Sequence, residues 1–265
     1  MSALPTFFVS HGSPMLSLDA GATGAAWAEI GAALPAPRAI VAVSAHWSQA
    51  APALTGTAQP ETIHDFYGFD GALYELHYPA PGAPELAREL ADGLARAGYA
   101  ARVDERRGLD HGAWVPLRFM YPSAKLPVLQ LSINARADAA WHYQLGAALA
   151  PVLGEDVLLL ASGGLTHNLY DFRPGTARLP VPDYVTDFQA WMFDRLTARD
   201  IDAVLDYRKR APQALRAHPT DEHLLPLFVA LGAAGPDAPV RRDLDIVTER
   251  MLAMDIYRFE RARAA

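Results

Sequence analysis

The feature that most restricts this chain is a set of short, largely apolar runs that stop at histidine-bearing turns. Thr6–Ser10 (TFFVS) leads into His11-Gly12-Ser13-Pro14, and Ala39–Ser44 (AIVAVS) into Ala45-His46-Trp47. Asp156–Ser162 (DVLLLAS) leads into Gly163-Gly164-Leu165-Thr166-His167, and Pro127–Ile133 (PVLQLSI) is a further run of the same kind. Continuous runs of this length, rich in Val, Ile and Leu, suit strands buried on both faces. Between them lie helical patterns at Ala22–Leu34, Pro84–Ala97, Ala113–Met120, Asp138–Leu153 and Tyr184–Ala198, with another beginning near Asp221. The alternation predicts an α/β fold: a mainly parallel or mixed central sheet covered by helices in three layers. Open α/β sheets bind ligands at the C-terminal edge of their strands, and His11, His46 and His167 each fall just past such an edge.

The loops suggested by Pro and Gly, at Pro79–Pro84, Gly235–Pro239 and Asp171–Pro182, are too short to demand a domain boundary. Residues 1–265 therefore read as one domain, long enough for a large core. The chain has no cysteine, which excludes disulfides, Cys-type zinc fingers, iron–sulfur clusters and a thiolate nucleophile; any metal must be held by histidine or carboxylate. The net charge of −7 is spread along the chain, and Lys125 and Lys209 are its only lysines, so a nucleic-acid surface is not expected. The first basic residue is Arg38 and the most apolar run, Val157–Ala161, is too short to cross a bilayer. The expected address is the cytoplasm, with no membrane partner.

Phosphate-loop, dinucleotide-binding, H-E-x-x-H and G-x-S-x-G signatures are absent, and the chemistry falls to the nine histidines. His11 and His46 occupy equivalent strand ends, which favours a shared metal over two rings satisfied by loop carbonyls. His223, in His218-Pro219-Thr220-Asp221-Glu222-His223, is expected in the first turn of a helix capped by Thr220 or Asp221, or one starting a residue or two later because Pro226 is tolerated near a helix start, whether as a ligand or as a surface residue. His111, in Asp110-His111-Gly112-Ala113-Trp114, suits a cleft wall and a helix-start cap equally. His167 follows two glycines and has Asn168 beside it to orient its ring; an uncoordinated imidazole next to a metal is a natural general acid/base. His218 reads as a loop residue or a partner of the site, His142 as a helix-surface residue, and His77 as a loop or edge residue. His64 lies in an aromatic stretch, Ile63–Phe69, that reads as a packed loop more than as a pocket wall.

Five blocks occur in order: Ser-His-Gly-Ser-Pro at 10–14, Ser-Ala-His-Trp at 44–47, Asp-His-Gly-Ala-Trp at 110–114, Gly-Gly-Leu-Thr-His-Asn at 163–168, and His-Pro-x-x-Glu-His at 218–223. With Phe66–Phe69, Tyr78–Gly82 and Met254–Phe259, they resemble the DODA-type extradiol aromatic ring-opening dioxygenases of the protocatechuate 4,5-dioxygenase beta-subunit superfamily, over nearly the whole chain. The resemblance implies one α/β catalytic domain with a single divalent metal at the sheet edge. Carried over by position, His11, His46 and His223 are the ligands, His167 is the acid/base, and His111 is a pocket histidine near substrate or dioxygen. Protocatechuate-type members supply a glutamate where His223 stands here. Glu222 is adjacent, but neighbours on a helix point about 100° apart, so the two are not expected to ligate together.

The implied reaction inserts dioxygen into a catechol, DOPA-like in this branch, and opens the ring to a muconic semialdehyde. Fe(II) is the metal expected for activity, and Zn(II) is plausible as the ion found bound, because three imidazoles also make a good zinc site. The implied partners are a small catechol and dioxygen, in a monomer or small homo-oligomer. Two other classes fit the same residues: a zinc hydrolase, and a non-enzymatic scaffold like the Memo-type relatives. The presence of His111 and His167 beside the metal set argues against a scaffold.

Overall fold

The computed structural model describes residues 3–175 and 177–261. The two ends of the 1–265 unit, and Thr176 of the expected 171–182 loop, lie outside the described residues. In chain order the elements are β1 (Thr6–Ser10), α1 (Gly21–Ala33), β2 (Ala39–Ser48), β3 (Ala53–Thr55), α2 (Pro84–Arg96), β4 (Arg102–Asp104), α3 (His111–Met120), β5 (Val128–Ile133), α4 (Ala139–Leu153) and β6 (Val157–Gly163). There follow α5 (Asp183–Thr197), the short α6 (Ile201–Leu205), α7 (Tyr207–Arg210) and α8 (Ala214–Ala217), then α9 (Leu225–Ala234), β7 (Val240–Leu244), β8 (Val247–Thr248), β9 (Leu252–Ala253) and β10 (Ile256–Phe259).

Eight strands form one sheet in the order β4-β3-β5-β2-β6-β1-β10-β7, and β8 pairs with β9 separately. Its centre, β5-β2-β6-β1, is parallel. The antiparallel β10 and β7 extend it beyond β1, and β3 joins β5 antiparallel on the other side. The sheet is therefore mixed, as the expected fold class allows. β1, β5 and β6 are buried along their full length, and side chains alternate between two cores. Phe8, Val41, Val43, Leu159 and Ala161 pack under α2, α4, α5 and α9, whereas Phe7, Val9, Ile40, Leu158 and Leu160 pack under α1 and α3. Each such fully buried Val, Leu or Phe contributes about 1.5–3 kcal/mol, which explains why uninterrupted apolar runs mark these strands. No helix among the described residues is long and apolar enough to cross a membrane.

Two boundaries differ from the sequence expectation in ways that matter for the site. β2 does not stop at Ser44: its pairing with β5 jumps from Ser44↔Ser132 to Ser48↔Ile133. Ala45, His46 and Trp47 are the extra residues of a bulge, and bulges re-aim side chains at a sheet rim. His46 is thus within the strand rather than past it. The second difference is α9, which starts at Leu225 with Pro226 in its first turn, so His223 stands in the preceding turn rather than inside the helix. Proline favours the first helical positions, where its missing N–H costs nothing, and it sets the start here.

Candidate metal centre

The C-terminal edges of β1, β2 and β6 bring His11, His46 and His223 together, with one donor atom of each lying within 4.8 Å of the others. The proton inventory shows what these atoms offer. His11 Nδ1 lies 2.9 Å from Ser162 Oγ, and Ser162 Oγ donates its own hydrogen to the Gly112 carbonyl. A hydroxyl has one proton to give, so Ser162 accepts from His11 Nδ1–H, which leaves Nε2 as a bare lone pair. His46 Nδ1 faces Asp65 Oδ2 at 3.4 Å, and His223 Nδ1 faces Glu222 Oε1 at 3.3 Å, with Thr220 Oγ1 donating to the same Glu222 oxygen at 2.8 Å. An acceptor oxygen thus faces Nδ1 of all three rings, hydrogen-bonded at His11 and His223 and at the longer distance of 3.4 Å at His46.

The Nε2 atoms of His11 and His46 are 3.0 Å apart. A contact that short needs a proton on one of the two nitrogens or a cation between them. An ion about 2.0–2.1 Å from each nitrogen could lie between them. A hydrogen-bonded acceptor behind each ligating ring is also the usual way a protein fixes a metal-binding tautomer. On donor chemistry and spacing the residues fit a metal ion.

Two close approaches hold this geometry. A Cβ on Gly163 would sit 2.0 Å from the His223 carbonyl oxygen, which accepts the Gly164 N–H at 2.8 Å. A Cβ on Gly112 would sit 2.3 Å from Ser44 Oγ and 3.2 Å from the His46 ring. Only glycine lets the start of α3 and the His223 turn press against the strand ends so tightly.

His111 is the first residue of α3. Its backbone N–H and its Nδ1 both donate to Asp65 Oδ1, each at 2.9 Å. Its ring lies 4.0 Å from that of His46 and 5.2 Å from that of His11, centroid to centroid. His167, four residues beyond β6, stacks flat on His223 with centroids 3.5 Å apart and planes within 6°. Asn168 does not orient it: the Asn168 side chain accepts the Tyr170 N–H at 3.1 Å and caps a short 3-10 turn. The backbone bond from His167 N to Ala217 O, 2.9 Å, holds the segment instead.

Burial, reinforced by the neighbouring imidazoles, holds His11 and His223 well below the usual histidine range. The same causes bring His46 to about 4, and burial brings His167 to about 4. These rings are neutral at neutral pH, the form that ligates metal and accepts protons. The carboxylates go the other way. Burial pushes Asp65 up, but its hydrogen bonds and attraction to His111 outweigh this and hold it at about 2. Glu222 is held at about 2 chiefly by its hydrogen bond to His223. Two fixed negative charges beside neutral ligands would balance a buried dication.

Among the described residues, the remaining histidines belong to none of the candidate ligand groups. His142, expected on a helix surface, is fully buried; its Nδ1 donates to Asp138 O at 2.7 Å and its Nε2 accepts the Asn134 N–H at 3.1 Å. With both ring nitrogens satisfied, a histidine can occupy a core. His218 is fully buried and donates from Nε2 to Leu165 O at 2.7 Å, tying the 217–223 segment to the one that follows β6. His77 is an exposed loop residue. His64 donates to Leu76 O at 3.0 Å, and its ring lies among those of Phe66, Tyr74 and, from α3, Trp114. Phe66 meets His111 edge-on at 5.7 Å, and Tyr67 and Tyr170 are 90% and 78% exposed on the loops that carry Asp65 and follow His167.

Sequence reasoning misses Asp65 and Ser162. Ser162 has a signal, a hydroxyl at the end of an otherwise apolar buried run. Asp65 has a weaker one, a carboxylate next to histidine in an aromatic loop.

The family described as the catalytic LigB subunit of aromatic ring-opening dioxygenase matches residues 5–256. The chain is 42% identical to a 4,5-DOPA dioxygenase extradiol of Beta vulgaris, covering 88% of each protein. It is 38% identical to one of Escherichia coli, covering 95% of this chain and 93% of that protein. The fold superposes on the crystal structure of an uncharacterized Escherichia coli K12 protein with a TM-score of 0.82 at 33% identity, covering 96% of this chain and 99% of the other. The chain belongs to the LigB family of aromatic ring-opening dioxygenases and is an extradiol ring-cleaving enzyme.

Proposed function

We propose that the chain opens DOPA-like catechols at one metal ion held by His11, His46 and His223, with His167 as proton shuttle and His111 as a second pocket histidine. The observation that carries this reading is the three rings whose Nδ1 atoms face Ser162, Asp65 and Glu222 while one donor atom of each converges with the others within 4.8 Å. The substrate class rests on the relatives, which are 4,5-DOPA dioxygenases. Fe(II) is the ion proposed for activity, and Zn(II) is proposed as an ion this three-imidazole set also retains. The proposed unit is the whole chain, 1–265, acting in the cytoplasm as a monomer or small homo-oligomer.

When bound, Fe(II) would bring catechol and dioxygen into contact and let electron density pass between them. The protein does the rest. His167, kept neutral by burial, can take a proton from a catechol hydroxyl and hold it for return later in the reaction. His111, pinned through Nδ1–H to Asp65, keeps its Nε2 available to substrate or dioxygen. Phe66 and the loop that bears it supply an aromatic wall.

The test is an oxygen-uptake screen of Fe(II)-reconstituted protein over substituted catechols, followed by the yellow colour of the opened ring. Uptake matched to colour is expected. Colour or turnover that persists without oxygen would refute the reading and favour a hydrolase.

A further inference from the structure

The structure has one carboxylate that serves two functional histidines at once. Asp65 Oδ1 accepts both the backbone N–H and the Nδ1–H of His111, at 2.9 Å each. Asp65 Oδ2 is buried, has no hydrogen-bond partner of ordinary geometry, and faces His46 Nδ1 at 3.4 Å. The two imidazoles are themselves in contact, with ring centroids 4.0 Å apart. The residue lies on the loop whose Phe66 touches His111 and whose Tyr67 is exposed.

We propose that Asp65 is a positioning residue that fixes the tautomers of His46 and His111 together, keeping both protons on Nδ1 so that His46 can ligate and His111 can accept. The inference rests on the ligand reading above. It follows from what a carboxylate can do: it only accepts, so it bonds the His111 Nδ1–H at 2.9 Å and, at 3.4 Å, favours the His46 tautomer that turns Nδ1–H toward it. Neither histidine can move its proton to Nε2 without placing a lone pair against a negative oxygen. The charge on one loop residue thus sets metal affinity and the hydrogen-bonding sense of the pocket together.

The substitutions Asp65→Asn and Asp65→Ala separate this from a role in packing. Asparagine has the shape of aspartate, so a packing role predicts near-normal Asp65→Asn and a worse Asp65→Ala. The tautomer role predicts the reverse order. The asparagine oxygen stays on the two His111 donors, its NH2 group faces His46 Nδ1, and His46 must then shift its proton to the ligating Nε2. Alanine removes the acceptor without imposing a donor.

The readout is zinc affinity of the folded full-length protein by chelator competition, with histidine-selective nitrogen NMR of the zinc-loaded form to report tautomers. The expected result is a loss of about 10- to 100-fold in zinc affinity for Asp65→Asn, a smaller loss for Asp65→Ala, and, in Asp65→Asn alone, one Nε2–H histidine signal beyond those of His64 and His218. Wild-type zinc affinity in Asp65→Asn, or a greater loss in Asp65→Ala than in Asp65→Asn, overturns the inference. His46→Ala belongs in the same series: if it binds zinc like the wild type, the ligand reading has failed, whereas its loss beside an unaffected Asp65→Asn isolates the failure to Asp65.

Discussion

Gly163→Ala tests how the third ligand is held. The new methyl carbon would start 2.0 Å from the His223 carbonyl oxygen, where real Cβ contacts stay above 3.0 Å. Either β6 or the turn carrying His223 must therefore move by about 1 Å, a shift well beyond the roughly 0.2 Å tolerance of metal–ligand distances. The Gly164 N to His223 O bond of 2.8 Å that fixes this turn is strained by the same movement. Overpacking of this kind costs about 1–3 kcal/mol in stability. The sharper effect is on the metal, where disturbing one of three ligands predicts at least about a 10- to 100-fold loss of affinity. The adjacent Gly164→Ala is the control, because its nearest neighbour would be Thr166 O at 3.4 Å, an ordinary contact. Metal affinity of the folded variants, by chelator competition, checks this. Wild-type affinity in Gly163→Ala, or equal losses in the two variants, would refute the claim that this contact positions His223.

Three further outcomes are expected. His11→Ala, His46→Ala and His223→Ala should each purify with little or no metal by elemental analysis, because two imidazoles alone hold a divalent ion poorly. His167→Ala should keep its metal and lose about 10²- to 10⁴-fold in turnover, the usual contribution of a positioned acid/base; normal turnover would remove it from the mechanism. Burial holds the His142 ring at about 4 in the folded chain. A histidine with a lowered folded value binds its proton more readily when unfolded, so its share of stability is intact above pH ~6.5 and is lost as the pH falls toward about 4. That share is about 3 kcal/mol, because each tenfold difference in proton affinity between the folded and unfolded chain carries about 1.4 kcal/mol. Urea denaturation of His142→Gln should show a shallower fall between about pH 7 and pH 4.5 than the wild type; an equal slope would contradict the assignment.

The central strands are legible because burial on both faces leaves uninterrupted apolar runs, and the run Thr6–Ser10 coincides with β1 at both ends. β3 and β4 have three residues each, too few for a pattern, and β7, Val-Arg-Arg-Asp-Leu, hides in charge at the sheet's edge. The bulge at Ala45–Trp47 is illegible because alternation of side chains does not reveal a slip in pairing with β5. At the site, His11, His46, His111, His167 and His223 stand out by their strand-end or loop settings, and the structure brings all five into one cluster. His142 misleads because an Ala-rich helix gives no hint of which face is covered. Asp65 escapes notice because its partners lie 46 residues away, at the start of α3 (His111), and in β2, at His46. Local sequence reports residue types at strand ends; it does not report which acceptor stands behind each ring.

The most direct test of the whole account is a single turnover of the Fe(II)-loaded protein with a catechol under isotopically heavy dioxygen, with the product analysed by mass spectrometry. Extradiol cleavage at this centre predicts a ring-opened product with heavy oxygen in its carboxylate, and no product under nitrogen. A product whose carboxylate oxygens come only from substrate and water would contradict it.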